Sequence, residues 1–314
     1  MSPSSDTSVL KTLLKLLIYA AMICALLVIL VIDVRRARTR LAGVEDGLAP
    51  QIAPLHVPRF GTNVSLERYA DEGSLIEALE LARGLGFGSV RQRFAWAEIE
   101  PAPGEYRWDY WDRVLPIVQA NGLKVIAVLD TSPQWARAPV DANNPWAPPA
   151  RAEDYAQFVG SFARRYGKYI SAYQVWDEPN ITPHWGAGPI DPAGYLDLLR
   201  LTSETIRRID PDAAVIAGGL APNLETGGRN MSDVQYLREI YRRGAAKYFD
   251  VLGVKAYGFW SGADDRRASE DVLNFSRVIL LRREMIRRGD AAKPVRAVDM
   301  GWCALPPDWR GKPS

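Results

Sequence analysis

The 314-residue chain carries 39 Lys and Arg against 37 Asp and Glu, a formal net charge of +2, so no global field draws it to nucleic acid or another polyanion. Hydrophobic residues make up 47% and charged residues 24%, proportions of a globular rather than a disordered chain. The two cysteines, Cys24 and Cys303, are not expected to pair, and two histidines, His56 and His184, are too few for a His-rich metal centre. Neither a metal nor an organic cofactor is expected.

The first element is apolar. Leu16 to Ile32 is an uninterrupted run, and extending it to Leu13 takes in only Lys15, which can snorkel to an interface. Residues 13–32 therefore read as a transmembrane anchor, since about 20 residues at a 1.5 Å rise span roughly 30 Å of hydrocarbon. A cleaved signal peptide is the competing reading. The run is long for one, and Asp33-Val34-Arg35-Arg36 follows it in place of a small-x-small site. Residues 1–12 form a tail and residues 33–57 a linker marked by Gly43, Gly47, Pro50 and Pro54. Arg35, Arg36, Arg38 and Arg40 outweigh Lys11 and Lys15, so the positive-inside rule alone keeps the following domain in the cytoplasm.

From residue 58 onward, short β-rich runs alternate with helical patterns. The expected strands are Arg59–Asn63, Ser89–Phe94, Lys124–Asp130, Ala172–Trp176, Ala214–Gly218, Asp250–Ala256 and Val295–Asp299. Helices are expected near 73–85, 110–121, 152–166, 192–208, 232–243 and 268–288. Asp191-Pro192 supplies an N-cap and a first-turn proline, and Ser232 with Gln235 fits a capping box. Tyr195, Leu198, Leu199, Thr202, Ile206 and Ile209 form one helical face. Arg282-Arg283 and Arg287-Arg288 lie in a helical pattern and read as solvated faces rather than a binding patch.

Such alternation implies parallel strands with right-handed crossovers. A doubly wound sheet usually places a Gly-rich turn after its first strand, and Thr62-Asn63-Val64-Ser65 is none. The expected fold is α/β, a (β/α)8 barrel over residues 58–314. Only seven strands are counted, with 15 residues after Asp299, so an eighth strand and its helix are expected to be lacking.

In such a barrel chemistry gathers at the C-terminal strand ends. Those ends hold Arg91 to Trp96, Asp130 to Trp135, Trp176-Asp177-Glu178-Pro179-Asn180, Lys255 to Trp260, and Asp299 to Trp302. Two carboxylates across a barrel mouth are the minimum for retaining glycoside hydrolysis. Indole faces suit the apolar faces of pyranose rings while their NH groups find partners at a wet rim.

At these residues the sequence resembles the clan-A (β/α)8 glycoside hydrolases, nearest the cellulase-like and β-xylosidase-like families. The resemblance covers roughly residues 58–302. Its most specific element is Trp176-Asp177-Glu178-Pro179-Asn180, similar to the family's Trp-Asn-Glu-Pro-Asn. Trp96-Ala97-Glu98-Ile99-Glu100-Pro101 with Gly104 and Tyr106, Pro133-Gln134-Trp135-Ala136, and Gly218-Gly219-Leu220-Ala221-Pro222 support it. The resemblance implies Glu178 as acid/base and Asp299 as nucleophile. It implies Arg91 as the nucleophile's support and Tyr257 as a site tyrosine. Asp177, Trp96, Trp135 and Trp302 are the further substrate-binding expectations, with Trp146, Trp185 and Trp260 as outer candidates. His184 is read as a loop residue. Three residues depart from the family pattern. Asp299 stands for a glutamate, Asp177 for an asparagine, and Lys255 for a histidine. Lys255 reads equally as an anion-binding group or a salt-bridge partner.

The resemblance implies a membrane-anchored hydrolase of polysaccharide or oligosaccharide O-glycosidic bonds. Its partners are carbohydrate and, through residues 13–32, the lipid bilayer. Its substrate argues for a single-pass protein with an extracytoplasmic domain, against the positive-inside reading. The alternatives are a carbohydrate-binding pseudoenzyme, and a structural barrel whose missing strand is supplied in trans.

Overall fold

The computed structural model describes residues 4–42, 52, 55–302 and 310. Cys303, the tail at 303–307 and the linker residues Gly43, Gly47, Pro50 and Pro54 lie outside the described residues. The first helix, α1 (Ser4–Arg40), runs past Ile32 through the arginine cluster. Leu16, Leu17, Ile23, Leu26 and Ile29 are each more than half exposed, and the helix is buried nowhere along its apolar span. By length and composition it is the one described helix able to cross a membrane.

Seven barrel strands follow: β1 (Gly61–Val64), β2 (Ser89–Ala95), β3 (Lys124–Asp130), β4 (Ile170–Val175), β5 (Ala214–Leu220), β6 (Val251–Tyr257) and β7 (Val295–Gly301). Each pairs in parallel with the next in chain order. The helices between them are α2 (Glu72–Gly84), the single turn α3 (Trp96–Ile99), α4 (Asp109–Ala120), α5 (Ala152–Tyr166), α6 (Pro192–Ile209), α7 (Asp233–Arg242) and α8 (Val278–Arg287). This is a nearly closed parallel barrel of seven strands, a (β/α)8 barrel less one unit among the described residues. β7 and β1 do not pair. Arg296 of β7 reaches across the gap, donating to the Pro58 carbonyl at 2.7 Å and to Ser89 Oγ at 3.3 Å.

Alternation in the strands sorts side chains into two cores. Ile126, Ala172, Ala214, Ile216, Val251 and Val298 fill the barrel interior, with Leu55 and Val57 packed against them. The opposite faces meet the helices through a dense aromatic layer in which Phe94, Trp111, Phe158, Phe162 and Tyr166 are buried. The expected α6 face is formed: Tyr195, Leu198, Leu199, Thr202 and Ile206 are buried, and Asp191 accepts from the Ala193 N–H at 3.0 Å as N-cap.

Two local expectations fail. The last helix begins at Val278, not at 268, because side chains satisfy the preceding backbone in turns. Asn274 Nδ2 donates to the Asp265 and Arg267 carbonyls, and Arg277 Nη1 donates to those of Glu270 and Val272. Ser232 precedes α7 but caps nothing with its side chain. Its hydroxyl is drawn to the buried Arg277–Asp233 pair, accepting from Arg277 Nη2 at 3.2 Å.

Candidate active site at the C-terminal mouth of the barrel

Four non-glycine residues among those described have a left-handed φ, and all follow a barrel strand at this mouth. They are Thr131 (61°), Trp176 (64°), Glu178 (54°) and Phe259 (51°). Each such conformation costs on the order of 1–3 kcal/mol and persists only where the surroundings over-determine it.

The turn after β4 shows how that is done. Trp176 is buried edge-on between Tyr155 and Trp185, and its Nε1 donates to the His184 carbonyl at 2.7 Å. Asn180 bolts the turn to β5: its Nδ2 donates to the Ala221 and Met231 carbonyls, and its Oδ1 accepts from the Ala221 N–H. Held at both ends, the turn presents Asp177 inward and Glu178 to the mouth.

Asp177 is 3% exposed and accepts from four donors. Arg91 Nη2 lies 3.1 Å and Gln174 Nε2 2.8 Å from Oδ1, while Lys255 Nζ lies 3.2 Å and Arg93 Nη2 3.5 Å from Oδ2. Only glycine fits at 219, since a Cβ there would stand 2.4 Å from Asp177 Oδ1. Burial alone pushes the Asp177 pKa up. Lys255, then Arg91 and Arg93, more than reverse this and hold it below the ordinary carboxylate value.

Asp130, at the end of β3, has the opposite balance. Arg93 Nε donates to its Oδ2 at 2.9 Å, but its buried Oδ1 meets no partner among the described residues. Burial pushes its pKa to about 6 despite the Arg93 charge, and Asp177 adds to the rise. Arg93 in turn is held above its ordinary value: its own burial lowers it, but Asp130 and Asp177 prevail.

Glu178 is engaged on both oxygens. Lys255 Nζ lies 2.7 Å from Oε1 and His184 Nε2 lies 3.3 Å from Oε2. The second expected carboxylate, Asp299, accepts from the Tyr257 hydroxyl at 2.6 Å. A slip in the β6–β7 register brings this about. Val254 pairs with Ala297 but Lys255 with Asp299, so Val298 is skipped. Val298 points into the barrel interior, and strict alternation would send Asp299 away from that face. The bulge re-aims it onto Tyr257. Burial first, then Asp299, push the Tyr257 phenol well above its ordinary value, with Glu178 and Asp177 adding to the rise, so it stays a donor.

Arg91, Asp177, Glu178, Tyr257 and Asp299 thus share one mouth, with Lys255 and Tyr257 of β6 joining the β4 and β7 carboxylates. Arg91 pairs with Asp177, and its other partners are Gln174 and Asn63. Of the readings left open for Lys255, the geometry shows the ion pair, made with Asp177 and Glu178.

The tryptophans divide. Trp96 is corrected: it is fully buried, stacked on Phe158, with Nε1 on Glu100, because the α3 turn folds it under the rim. Trp185 is likewise buried against Trp176 and Tyr195 and offers no outer face. Trp135 is half-buried at the rim, donating to the Glu100 carbonyl at 3.1 Å. Trp260 is exposed. Trp302 is 44% exposed and stacks on Phe275; its indole occupies the space where a Cβ at Gly258 would stand. Trp146 has the Arg93 guanidinium 4.7 Å from its ring centre and the His184 ring stacked at 5.0 Å. Sequence reasoning placed Arg93 and Asp130 at the strand ends without assigning them a role, and read His184 as a loop residue. Beyond the strand-end positions, the available signal was that Arg93 shares a strand face with Arg91.

A family model described as beta-galactosidase, glycoside hydrolase family 42, matches residues 69–139, from α2 through β3. The chain is 32% identical over 116 residues to the beta-galactosidase BgaA of Thermus sp, covering 30% of this chain and 18% of that protein. Among solved structures it is similar to a family 39 glycoside hydrolase from Bacteroides cellulosilyticus WH2. That match has a TM-score of 0.61 and 18% identity, and covers 82% of this chain and 51% of the other. A glucosidase from Croceicoccus marinus matches with a TM-score of 0.56 and 14% identity over 84% and 56% of the two chains. The structural matches establish the fold, and the chain spans about half the length of these two solved relatives. The chain is thus similar to glycoside hydrolases in two independent respects, its barrel as a whole and its sequence from α2 through β3.

Proposed function

We propose that the chain is a membrane-anchored glycoside hydrolase that cleaves O-glycosidic bonds of a polysaccharide or oligosaccharide by a retaining, two-carboxylate route. The observation that carries this reading is the convergence of Glu178 and Asp299 from β4 and β7 onto Lys255 and Tyr257. Glu178 gives a proton to the leaving oxygen while Asp299 attacks the anomeric carbon, forming a glycosyl ester and releasing the aglycone. Water then attacks that carbon, Glu178 takes its proton, and the Asp299 carboxylate leaves. Tyr257 holds Asp299 for the attack. Helix α1 is the single-pass anchor, with the barrel on the extracytoplasmic side where such a substrate lies.

A second reading is favoured by one observation. Both Glu178 oxygens and one Asp299 oxygen are already engaged by protein groups, as in a carbohydrate-binding barrel without turnover. The test is sugar release by the detergent-solubilised full chain from aryl β-glycosides and β-linked polysaccharides, beside Glu178→Gln. Release by the parent and a loss of at least about a hundredfold in the variant support the enzyme. A folded parent that binds sugar but releases none supports the binding protein.

A further inference from the structure

His184 sits where its surroundings leave it little freedom. The loop after β4 fixes its backbone, since its carbonyl accepts from Trp176 Nε1 at 2.7 Å. The loop after β3 fixes its ring, since Trp146 stacks on it with the two planes 22° apart. Asn144 ties the two loops together, donating from Nδ2 to the Pro183 carbonyl at 2.8 Å and accepting from the Trp146 N–H at 3.1 Å. The Arg93 guanidinium also lies over Trp146, 4.7 Å from its ring centre. The indole thus carries both the guanidinium and the imidazole, and His184 Nε2 lies 3.3 Å from Glu178 Oε2. Lys255 Nζ holds the other oxygen at 2.7 Å.

We propose, on the reading of Glu178 as proton donor, that His184 is its positioning residue: the imidazole donates from Nε2 to Oε2 and, opposite Lys255, fixes the plane of the carboxyl group. The terminal torsion of a glutamate is broad and roughly two-fold, so a carboxyl group held at one oxygen still rocks. Two holds on different oxygens remove that freedom, and a misplacement near 1 Å is worth about a hundredfold in rate.

The charged groups facing the imidazole set its state. Glu178 and Asp177 favour the imidazolium; burial, Lys255 and Arg93 oppose it. Burial is the largest, and it holds His184 below the ordinary histidine value. Above that value the ring is neutral and carries one N–H, so a carboxylate on Nε2 selects the Nε2–H tautomer and leaves Nδ1 as an acceptor.

With only two histidines in the chain, His56 and His184, the imidazole nitrogens can be read directly. The full chain in detergent, labelled with 15N-histidine, is recorded by NMR from pH 5 to 8, with His56→Gln assigning the signals. The expected spectrum shows the Nε2–H form for His184 at neutral pH, and Glu178→Gln lowers the His184 midpoint by removing its favourable charge. An Nδ1–H tautomer, or a midpoint unmoved by Glu178→Gln, overturns the contact. On a cleaved substrate, His184→Ala is expected to lower kcat about ten- to a hundredfold with KM within about twofold and an unchanged melt. His184→Gln, whose amide also donates, recovers most of the loss. An unchanged kcat in His184→Ala, or no recovery in the glutamine variant, overturns the positioning role. A parent chain that releases no sugar overturns the enzyme reading alone, and the tautomer and its response to Glu178→Gln still decide the contact.

Discussion

Asp299 is one methylene shorter than the glutamate that the resemblance leads one to expect, and that places its carboxylate back by roughly 1–1.5 Å, a displacement worth about a hundredfold in rate. The β7 bulge aims it at the mouth, and Tyr257 holds it at 2.6 Å. If the site is otherwise that of a retaining hydrolase, restoring the methylene raises turnover. Asp299→Glu is expected to increase kcat/KM on an activated aryl β-glycoside about ten- to a hundredfold. A fall would mean that the Tyr257 contact and its surroundings are built around the shorter acid, and that reach is not what limits the reaction. Asp177 shows the same logic in reverse. Put where an asparagine is usual, its extra charge is matched by Arg91, Arg93 and Lys255, so these cations can be understood together as the setting that admits it. Lys255 also touches Glu178, so the two departures from the resembled pattern, at 177 and 255, meet in one ion-pair cluster.

At the scale of elements, the strands were legible because most are short β-rich runs bounded by turn residues, and all seven begin or end within about one residue of expectation at one end at least. The residues of the β4 turn were legible too, since Trp-x-Glu-Pro-Asn is specific. What was not legible depends on long-range side-chain chemistry. The segment 268–274 has a helical composition, but Arg277 holds the Glu270 and Val272 carbonyls in turns, and Asn274 does the same for Asp265 and Arg267 just before it. His184 had no periodic or spacing signal, because its partner Trp146 comes from another loop. The α1 helix is the element whose role rests most on composition. Its apolar residues are exposed, and the proposed anchor would bury them in lipid. Replacing Leu26 and Ile29 by arginine adds roughly 2.5–3.5 kcal/mol for each charge near the centre of the span. The parent chain is expected to stay with membranes through alkaline carbonate extraction and the double variant to be extracted. A parent chain that is extracted as readily would remove the anchor from the proposal.

For the molecule as a whole, the mouth gathers charge at a cost in stability, and Asp130 is where that cost is most visible. It is fully buried, with one oxygen satisfied by Arg93 and the other by no group among the described residues. Its pKa stands at about 6 in the fold against 3.8 ordinarily, so between those values the folded chain binds a proton that the unfolded chain has released. Stability gained from the protonated form is present below about pH 4 and is lost as the pH rises through about 6. The loss attributable to this one group is roughly 3 kcal/mol, since each tenfold change in proton affinity is worth about 1.4 kcal/mol. Asp177, whose pKa is lowered, works in the opposite sense and protects the fold at neutral pH. Asp130→Asn keeps the shape and an acceptor for Arg93 Nε while removing the titration. Denaturant unfolding of both proteins at pH 4.5, 5.5 and 7 is the measurement. The parent is expected to lose stability relative to the variant across that range, with the curves parallel above about pH 6.5. Parallel curves throughout would show that Asp130 remains ionised in the fold, and that Arg93 alone is enough to hold a buried carboxylate at the centre of the site.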